Sequence, residues 1–495
     1  MSARTEFQPD FDTKSFDRPA YAGPNRRSST PLDRLSRRLN RVCSTAVDPY
    51  QIAAMLESDG LNDRIALAEY GFKDVFELAD ALYKRVPGRP LSALQTIKRS
   101  PATRAWLEVS KGLLFGLPGL LYPAVYALFG IWSTTLGLTF AAIAGWGWSQ
   151  LMSHVAHRLI NRGNTGGAAR LLLGLAGLGV LGTVGAMLVA SQFITGGDFA
   201  SAIKIAAVQM AYQTAASIVF VFERELWLFW AVLPGVLVNI CYLFLGAETI
   251  SPVIAGAAGC GSVLLALLAA YLCAVRAGMW QVKTKRGMAL RLTDVAEAVP
   301  FVLYGAGCAA FIAFDTLQFW IVRPDFAPPA LGFVIVPVVL SMGVLEWQLR
   351  RFRERGVEVL AQTQAPQAFS AQIRGAFLQA LSSYGLTLVA LSLVAWMLTV
   401  SLGLSPLQTL MLLAANCAMG VGFFAAFLLI AQNRIAVVLG ALLVATIVRA
   451  TGLAAPSLTF LPLDFAVYTL SSCAVFMLLV LIAVRSEIST VSHYR

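Results

Sequence analysis

Charge is scarce in this chain. Only 13% of its 495 residues are Asp, Glu, Lys or Arg, where an average soluble domain has roughly 25%. Hydrophobic residues make up 57% and the mean hydropathy is +0.69. That balance excludes a string of large water-soluble domains and places the chain among integral membrane proteins. Histidine is rarer still, at three residues. The seven cysteines (Cys43, Cys241, Cys260, Cys273, Cys308, Cys417, Cys473) contain no CxxC pair and mostly lie in apolar runs, where a free thiol behaves as a small hydrophobe. Neither a disulfide framework nor a zinc site is expected. Enzyme signatures are missing too: there is no GxSxG, no Walker A sequence, no HExxH and no Rossmann GxGxxG opening a soluble βαβ unit,. No catalytic residue, cofactor or resident metal is expected, and ATP-driven transport would need another subunit. The first apolar run begins only near Gly112, so the N-terminus has no signal-peptide core and is expected to stay in the cytoplasm.

The charge that is present is uneven. Residues 1 to 111 hold 18 of the 38 Lys and Arg and 14 of the 27 Asp and Glu. The net charge of +11 is read as membrane topology and contact with anionic lipid headgroups, not as nucleic-acid binding.

Residues 1 to 30 mix Pro, Gly, Ser and both charge signs without an apolar period, the composition of a disordered tail. A cytoplasmic helical domain and linker are expected over 31 to 111. Within it, Leu32, Leu35 and Leu39 alternate with Arg34, Arg37, Arg38 and Arg41. This basic amphipathic helix either lies on an anionic membrane surface or forms part of the domain. Asp48 and Pro49 read as an N-cap and first helical residue, Gly60 and Asn62 interrupt the pattern, and Gly71 stops a helix before a further one around Val75 to Leu82,. The stretch ESDGLND lacks the carboxylate ladder of a calcium loop,.

From Gly112 the hydropathy predicts an all-α polytopic protein with twelve transmembrane helices in two six-helix halves. The spans fall at about 112 to 131, 134 to 159, 169 to 191, 201 to 222, 225 to 246, 252 to 275, 297 to 321, 329 to 349, 376 to 400, 405 to 430, 434 to 453 and 462 to 484,. The first half is 112 to 276, a basic cytoplasmic linker covers 277 to 296, the second half is 297 to 485 and a cytoplasmic tail covers 486 to 495. Loop charge supports the count: alternate loops hold Arg158 and Arg162, Arg224, the Arg276 to Arg291 cluster, Arg350 to Arg374, Arg434 and Arg485, while the others hold little beyond Lys204, Arg323 and Arg449. By the positive-inside rule both termini are then cytoplasmic in a bacterial inner-membrane protein.

A weak internal repeat follows. The chain reads HRLINRGNTGGAARLLLGLAGLG after span two, against FRERGVEVLAQTQ and IRGAFLQALSSYG after span eight, each read as a long span running into an Arg and Gly turn. FERE after span four corresponds to QNR after span ten. Parallel six-helix halves are a transporter arrangement. With the layout and the segment from His157 to Leu171, the chain resembles the multidrug/oligosaccharidyl-lipid/polysaccharide (MOP) flippase superfamily over about residues 112 to 485. FDTLQFW (Phe314 to Trp320) and EWQLRRFRE (Glu346 to Glu354) are similar to the membrane subunit of Pel-type exopolysaccharide exporters. The resemblance implies a polysaccharide or lipid-linked glycan as substrate; it does not extend to residues 1 to 111.

Ionisable and polar groups inside spans mark the candidate pathway. Asp315 in span seven either faces a wet cavity and couples transport to an ion gradient, or ends its helix beside Arg323. Arg449 in span eleven either meets an anionic substrate or snorkels. Gln150 and His154 lie near the inner end of span two; His157 adds a second imidazole, but no third metal ligand is evident. Gln209, Tyr212 and Gln213 on span four hydrogen-bond a sugar or hold helices together. The Trp and Phe clusters near span ends form an aromatic belt or stack on sugars. The glycines of span three, Gly174, Gly177, Gly179, Gly182 and Gly185, allow close approach of a neighbour or a sliding surface. Two functions remain: a glycan transporter, and a membrane scaffold whose residues 31 to 111 recruit a cytoplasmic glycosyltransferase or regulator. A membrane-embedded transferase is disfavoured because the outward loops are short and nearly free of carboxylates.

Overall fold

The computed structural model describes residues 31–39, 49–58, 60–85, 114, 116–193, 197–280, 290–322, 330–362, 366–401, 405–454 and 462–488. The expected tail, residues 1 to 30, lies outside them. The chain divides into two compact units, Met1–Thr96 and Ile97–Arg495, and the described residues are helical with no strand.

In the first unit, α1 (Pro31–Arg38), α2 (Pro49–Ser58), the short α3 (Asp63–Ile65) with its π turn to Tyr70, and α4 (Val75–Arg85) close a small core. Leu35 and Leu39 are 5% and 4% exposed and pack with Ile52, Leu56, Leu78 and Leu82. The apolar stripe of the basic helix is therefore spent on its own domain, which decides between the two readings of that segment. Asn62 caps α3 through the Ile65 amide at 3.1 Å, and Gly71, at φ 77, ends the turn in a left-handed conformation that glycine adopts without strain,.

The second unit is built from α5 (Tyr122–Asn161), entered through a 3-10 turn at Leu117–Leu121, then α6 (Thr165–Ala190), α7 (Phe199–Val221), α8 (Glu225–Leu245) and α9 (Pro252–Arg276). These are followed by α10 (Leu292–Val322), α11 (Ala330–Gln362), α12 (Pro366–Ser401), α13 (Pro406–Ala431), α14 (Ile435–Ala454) and α15 (Pro462–Glu487). Asn164, Asp198 and Ser251 cap α6, α7 and α9 by accepting amides three residues on,. Large residues such as Leu181 (70% exposed) and Leu386 (71%) face outward, a pattern suited to lipid and not to water.

Among the described residues, nine helices are long and apolar enough to cross a membrane, and Ile435–Thr451 is a shorter apolar one. The difference from the twelve expected spans has physical causes. The first two expected spans fall in one candidate, Leu117–Asn161, yet α5 is not one straight rod. Its backbone breaks at Gly130 (φ 77, ψ 167), and the Thr134 hydroxyl donates to the Val125 carbonyl at 3.3 Å. Residues nine apart in a continuous helix are separated by about 13.5 Å along its axis, so the chain folds back at Gly130. The expected eighth span begins in α11, whose remainder is rich in arginine.

The two helix groups have separate hydrophobic cores. One gathers Met152, Leu172, Ile218 and Val232 from α5 to α8, with Ala266 from α9. The other gathers Phe311, Tyr384, Phe424 and Phe476 from α10, α12, α13 and α15. Among the described residues the most extensive helix pairing, α5 against α10, joins them.

FERE and QNR correspond in backbone as well as in position. Phe222 (φ −94, ψ 12) and Gln432 (φ −92, ψ 12) end α7 and α13. Glu223 (φ 54) and Asn433 (φ 62) follow, the two non-glycine residues with positive φ among those described. The next amides, of Arg224 and Arg434, bond back to Val219 and Leu429 at 3.0 and 2.8 Å, a Schellman closure at both places. The other proposed correspondence differs. Gly163 (φ 76) makes a left-handed turn after α5, whereas Arg355 and Gly356 lie within the continuous helix α11.

A left-handed glutamate or asparagine is mildly strained where glycine is not. Glu223→Gly and Asn433→Gly are each expected to raise the melting midpoint of the detergent-solubilised protein by roughly 1 to 3 °C. Alanine at either place should not, and thermal-shift measurements on the four variants check it.

Candidate functional site

The seam between α5 and α10 begins with glycines. A Cβ on Gly305 would stand 2.7 Å from the Trp146 carbonyl oxygen, and one on Gly147 would stand 3.1 Å from that of Val302. Small residues here let the two backbones approach closely. Further along, partner numbers fall on α10 as they rise on α5, so the helices run antiparallel. The His154 ring lies 5.1 Å from that of Phe301, Arg158 pairs with Glu297, and Arg162 pairs with Asp294.

The two ion pairs differ in burial. Asp294 is 2% exposed, receives both Arg162 Nη atoms at 2.7 and 2.6 Å and accepts the Arg291 amide at 2.9 Å. Its place in the first turn of α10 also suits a negative charge,. The carboxylate in turn holds the Arg162 guanidinium above its usual pKa, chiefly through the side-chain hydrogen bond. Arg158 and Glu297, by contrast, have side chains 45% and 51% exposed.

Above the exposed pair opens a cleft of about 370 Å³. Its polar wall is one face of α5: Gln150, Ser153, His154, His157, Arg158 and Asn161, facing Phe301 of α10. Their spacing of three and four residues puts all six on that face. His157 Nδ1 lies 2.8 Å from the Ser153 carbonyl; a carbonyl only accepts, so that nitrogen carries the proton. His154 Nε2 is buried with no hydrogen-bond partner.

The structure thus places two of the expected pathway residues, Gln150 and His154, in one cleft and the others elsewhere. Gln213 sits on α7 against α5, where its Oε1 would clash with any Cβ at Gly145 and is itself buried without a partner. One turn on, Ser217 donates to the Ser149 hydroxyl at 2.8 Å. Gln209 and Tyr212 lie near Tyr122 at the start of α5. These polar groups lie along the packing of α5 on α7. Arg449 is 3% exposed, with Nη1 donating to the Phe311 carbonyl at 2.7 Å and the guanidinium 4.9 and 5.6 Å from the rings of Phe311 and Phe314. It is anchored inside the second helix group and does not snorkel. Asp315 stands in α10 one turn beyond Phe311; its side chain lies outside the described residues.

Of the span-three glycines, Gly179 meets the Trp148 indole and Met210, while Gly174, Gly177, Gly182 and Gly185 have nothing within 4 Å of an added Cβ. Close approach on that helix is confined to one position. The residues that sequence reasoning passed over are Arg158, Arg162, Asp294 and Glu297. The arginines read as topology markers and the carboxylates as part of a linker and span start. The available signal was complementary spacing: arginines four apart on α5 and carboxylates three apart on α10,.

No known sequence family matches the chain, and no curated protein does. Solved structures do. A MATE in the bent conformation aligns with a TM-score of 0.51 at 15% identity, over 80% of this chain and 97% of that one. An outward-facing multidrug resistance MATE family transporter of the MOP superfamily aligns with a TM-score of 0.51 at 13% identity, over the same shares. The fold is MATE-like. In this chain the α5–α10 seam is the main junction between the two separately packed sets of helices.

Proposed function

We propose that the protein is a membrane transporter that moves a polysaccharide or lipid-linked glycan across the bacterial inner membrane. In this reading it has twelve spans in two six-helix halves and both termini in the cytoplasm. The observation that carries the reading is the MATE-like fold. Two separate cores and the matched turns at Glu223 and Asn433 support the paired halves. The glycan follows from the sequence resemblance to the MOP superfamily and the Pel-type subunit. Asp315, one turn beyond Phe311 on α10, couples transport to an ion gradient. The polar face of α5 at Gln150, Ser153 and His154 supplies hydrogen bonds to passing hydroxyls.

The test is to delete the gene from its host and measure glycan on each side of the inner membrane. Deletion is expected to leave polymer or lipid-linked glycan inside, and Asp315→Asn to reproduce that block by about tenfold or more at normal protein abundance. Unchanged export in the deletion strain would overturn the reading.

A second role is favoured by a specific feature. The first unit closes its own core yet leaves the Tyr50 and Phe76 rings, 6.1 Å apart, 71% and 52% exposed. Aromatic residues of this kind anchor protein interfaces, and a cytoplasmic glycosyltransferase or regulator is the partner this role requires. Co-purification of such an enzyme with the full-length protein, lost on Tyr50→Ala with Phe76→Ala, is the expected result.

A further inference from the structure

We propose that the cleft on α5 binds an oxyanion, the phosphate or carboxylate of an acidic ligand, and that the ligand enters by taking Arg158 away from Glu297. The inference rests on the transporter reading only for placing the cleft on a route across the membrane. Binding itself stands on the side chains.

The wall chemistry is that of an anion site. It presents the Arg158 guanidinium, the Asn161 and Gln150 amides, the Ser153 hydroxyl and the His154 imidazole. The carboxylates at its edge are both engaged, Glu297 by Arg158 and Asp294 by Arg162. Charge-assisted bonds from guanidinium and imidazole to an oxyanion are the strong class of hydrogen bond. A second observation is independent of charge: His154 Nε2 is buried and unpartnered, and a buried polar atom rarely goes unbonded. A turn of the ring that opens Nε2 to the cleft would let a ligand oxygen complete it, accepting from Nε2–H. The apolar side, Phe301 against the His154 ring, gives a flat face for the rest of the ligand. The volume, about 370 Å³, lies in the range of sites that take one small molecule or one residue of a chain.

The two ion pairs divide the labour. Arg162 and Asp294 form a bidentate pair with a buried carboxylate and a guanidinium a quarter exposed, costlier to open. Arg158 and Glu297 are half exposed, and exposed pairs are weak. An entering oxyanion that also reaches His154 and Asn161 offers Arg158 more bonds than Glu297 does. The outer pair then opens while the inner one keeps α5 and α10 joined. In the unliganded protein Glu297 acts as an internal competitor.

This sets the sign of the test. Full-length protein in lipid nanodiscs is titrated at fixed ionic strength with inorganic phosphate, with glucuronate and with glucose as the neutral control, by calorimetry. Saturable binding of phosphate or glucuronate but not glucose is expected. Arg158→Gln should weaken it about tenfold or more, and His154→Phe several-fold, while Glu297→Gln should tighten it roughly three- to tenfold. A Glu297→Gln protein that binds no tighter than wild type, an Arg158→Gln protein that binds equally well, or equal binding of glucose would overturn the proposal. Nanodiscs with and without phosphatidylglycerol separate the sources: competition by the anionic lipid assigns the site to a headgroup, and its absence to a soluble or polymeric ligand. Binding that survives in a protein that exports no glycan would sink the transporter reading alone. Export by a protein without anion binding would sink this proposal alone.

Discussion

Gly305→Leu is expected to prevent the protein from accumulating in a folded form, and Gly305→Ala to lower its stability by about 1 to 3 kcal/mol. The first atom a Cβ would meet is the Trp146 carbonyl oxygen at 2.7 Å, with the Trp146 carbonyl carbon at 3.0 Å. Those are backbone atoms of α5. A flexible side chain can rotate away from an added methyl, but helix backbone cannot, so α5 and α10 must separate. The displacement would travel along the seam to Gly147, which has its own near contact with the Val302 carbonyl, and on to the Phe301 ring and both ion pairs. Gly182→Ala is the matched control, since nothing lies within 4 Å of a Cβ there, and it should be neutral or slightly stabilising through helix propensity. Fluorescence-detected size exclusion with a thermal ramp reads both. A Gly305→Ala protein that melts with the wild type would show that the seam is looser than these distances require.

The second large effect concerns the buried pair. Arg162→Ala is expected to lower the melting midpoint by an amount on the order of 10 °C. It strands the Asp294 carboxylate, 2% exposed, with the Arg291 amide still donating to it. Removing one partner of a buried pair costs more than removing both, because the penalty is the desolvated charge left behind. The double variant Arg162→Ala with Asp294→Ala should therefore regain much of the loss, and the non-additivity measured in that cycle isolates the pair. Arg158→Ala should change the midpoint little, since its pair with Glu297 is half exposed,. Equal losses for Arg158→Ala and Arg162→Ala would contradict the division between an inner, structural pair and an outer, exchangeable one.

Much of the architecture was legible in local sequence. The helix stop at Gly71 and the break between helices at Glu223 to Glu225 were read in the sequence; the caps at Asn62, Asn164, Asp198 and Ser251 are local chemistry of the same kind that only the structure brought out. In each case a side chain within three residues satisfies the free amides of a helix start, or a left-handed residue closes its end. The correspondence of FERE with QNR also held to the backbone, because a Schellman closure depends on a few consecutive residues. The supposed Arg and Gly turn near Gly356 did not appear. A glycine flanked by arginines is compatible with a helix interior, and the surrounding α11 residues were apolar at helical spacing on the buried face, as Phe352 and Val359 show.

The candidate site was half legible. Gln150 and His154 stood out as polar residues in an apolar span, but their partners lie on α10. Arg158 and Glu297 are 139 positions apart, and Arg162 and Asp294 are 132 apart. Read alone, Arg158 and Arg162 reported only which side of the membrane they favour. Arg449 was read as a substrate contact or a snorkelling cation, and the structure instead buries it against Phe311.

By itself, then, the sequence determined that this chain is an all-helical membrane protein with a small helical unit ahead of it, and where many helices begin and end. The reason is that lipid leaves the backbone no partner but itself, so apolar length and local capping are enough to specify helices. Which helices touch was decided only in the tertiary structure. Apolar helices have no hydrophobic preference for one another over lipid, and the choice falls to shape and to a few polar pairs. The close approach at Gly147 and Gly305 fits α5 to α10, and that fit brings distant arginines and carboxylates into register and forms the cleft between them.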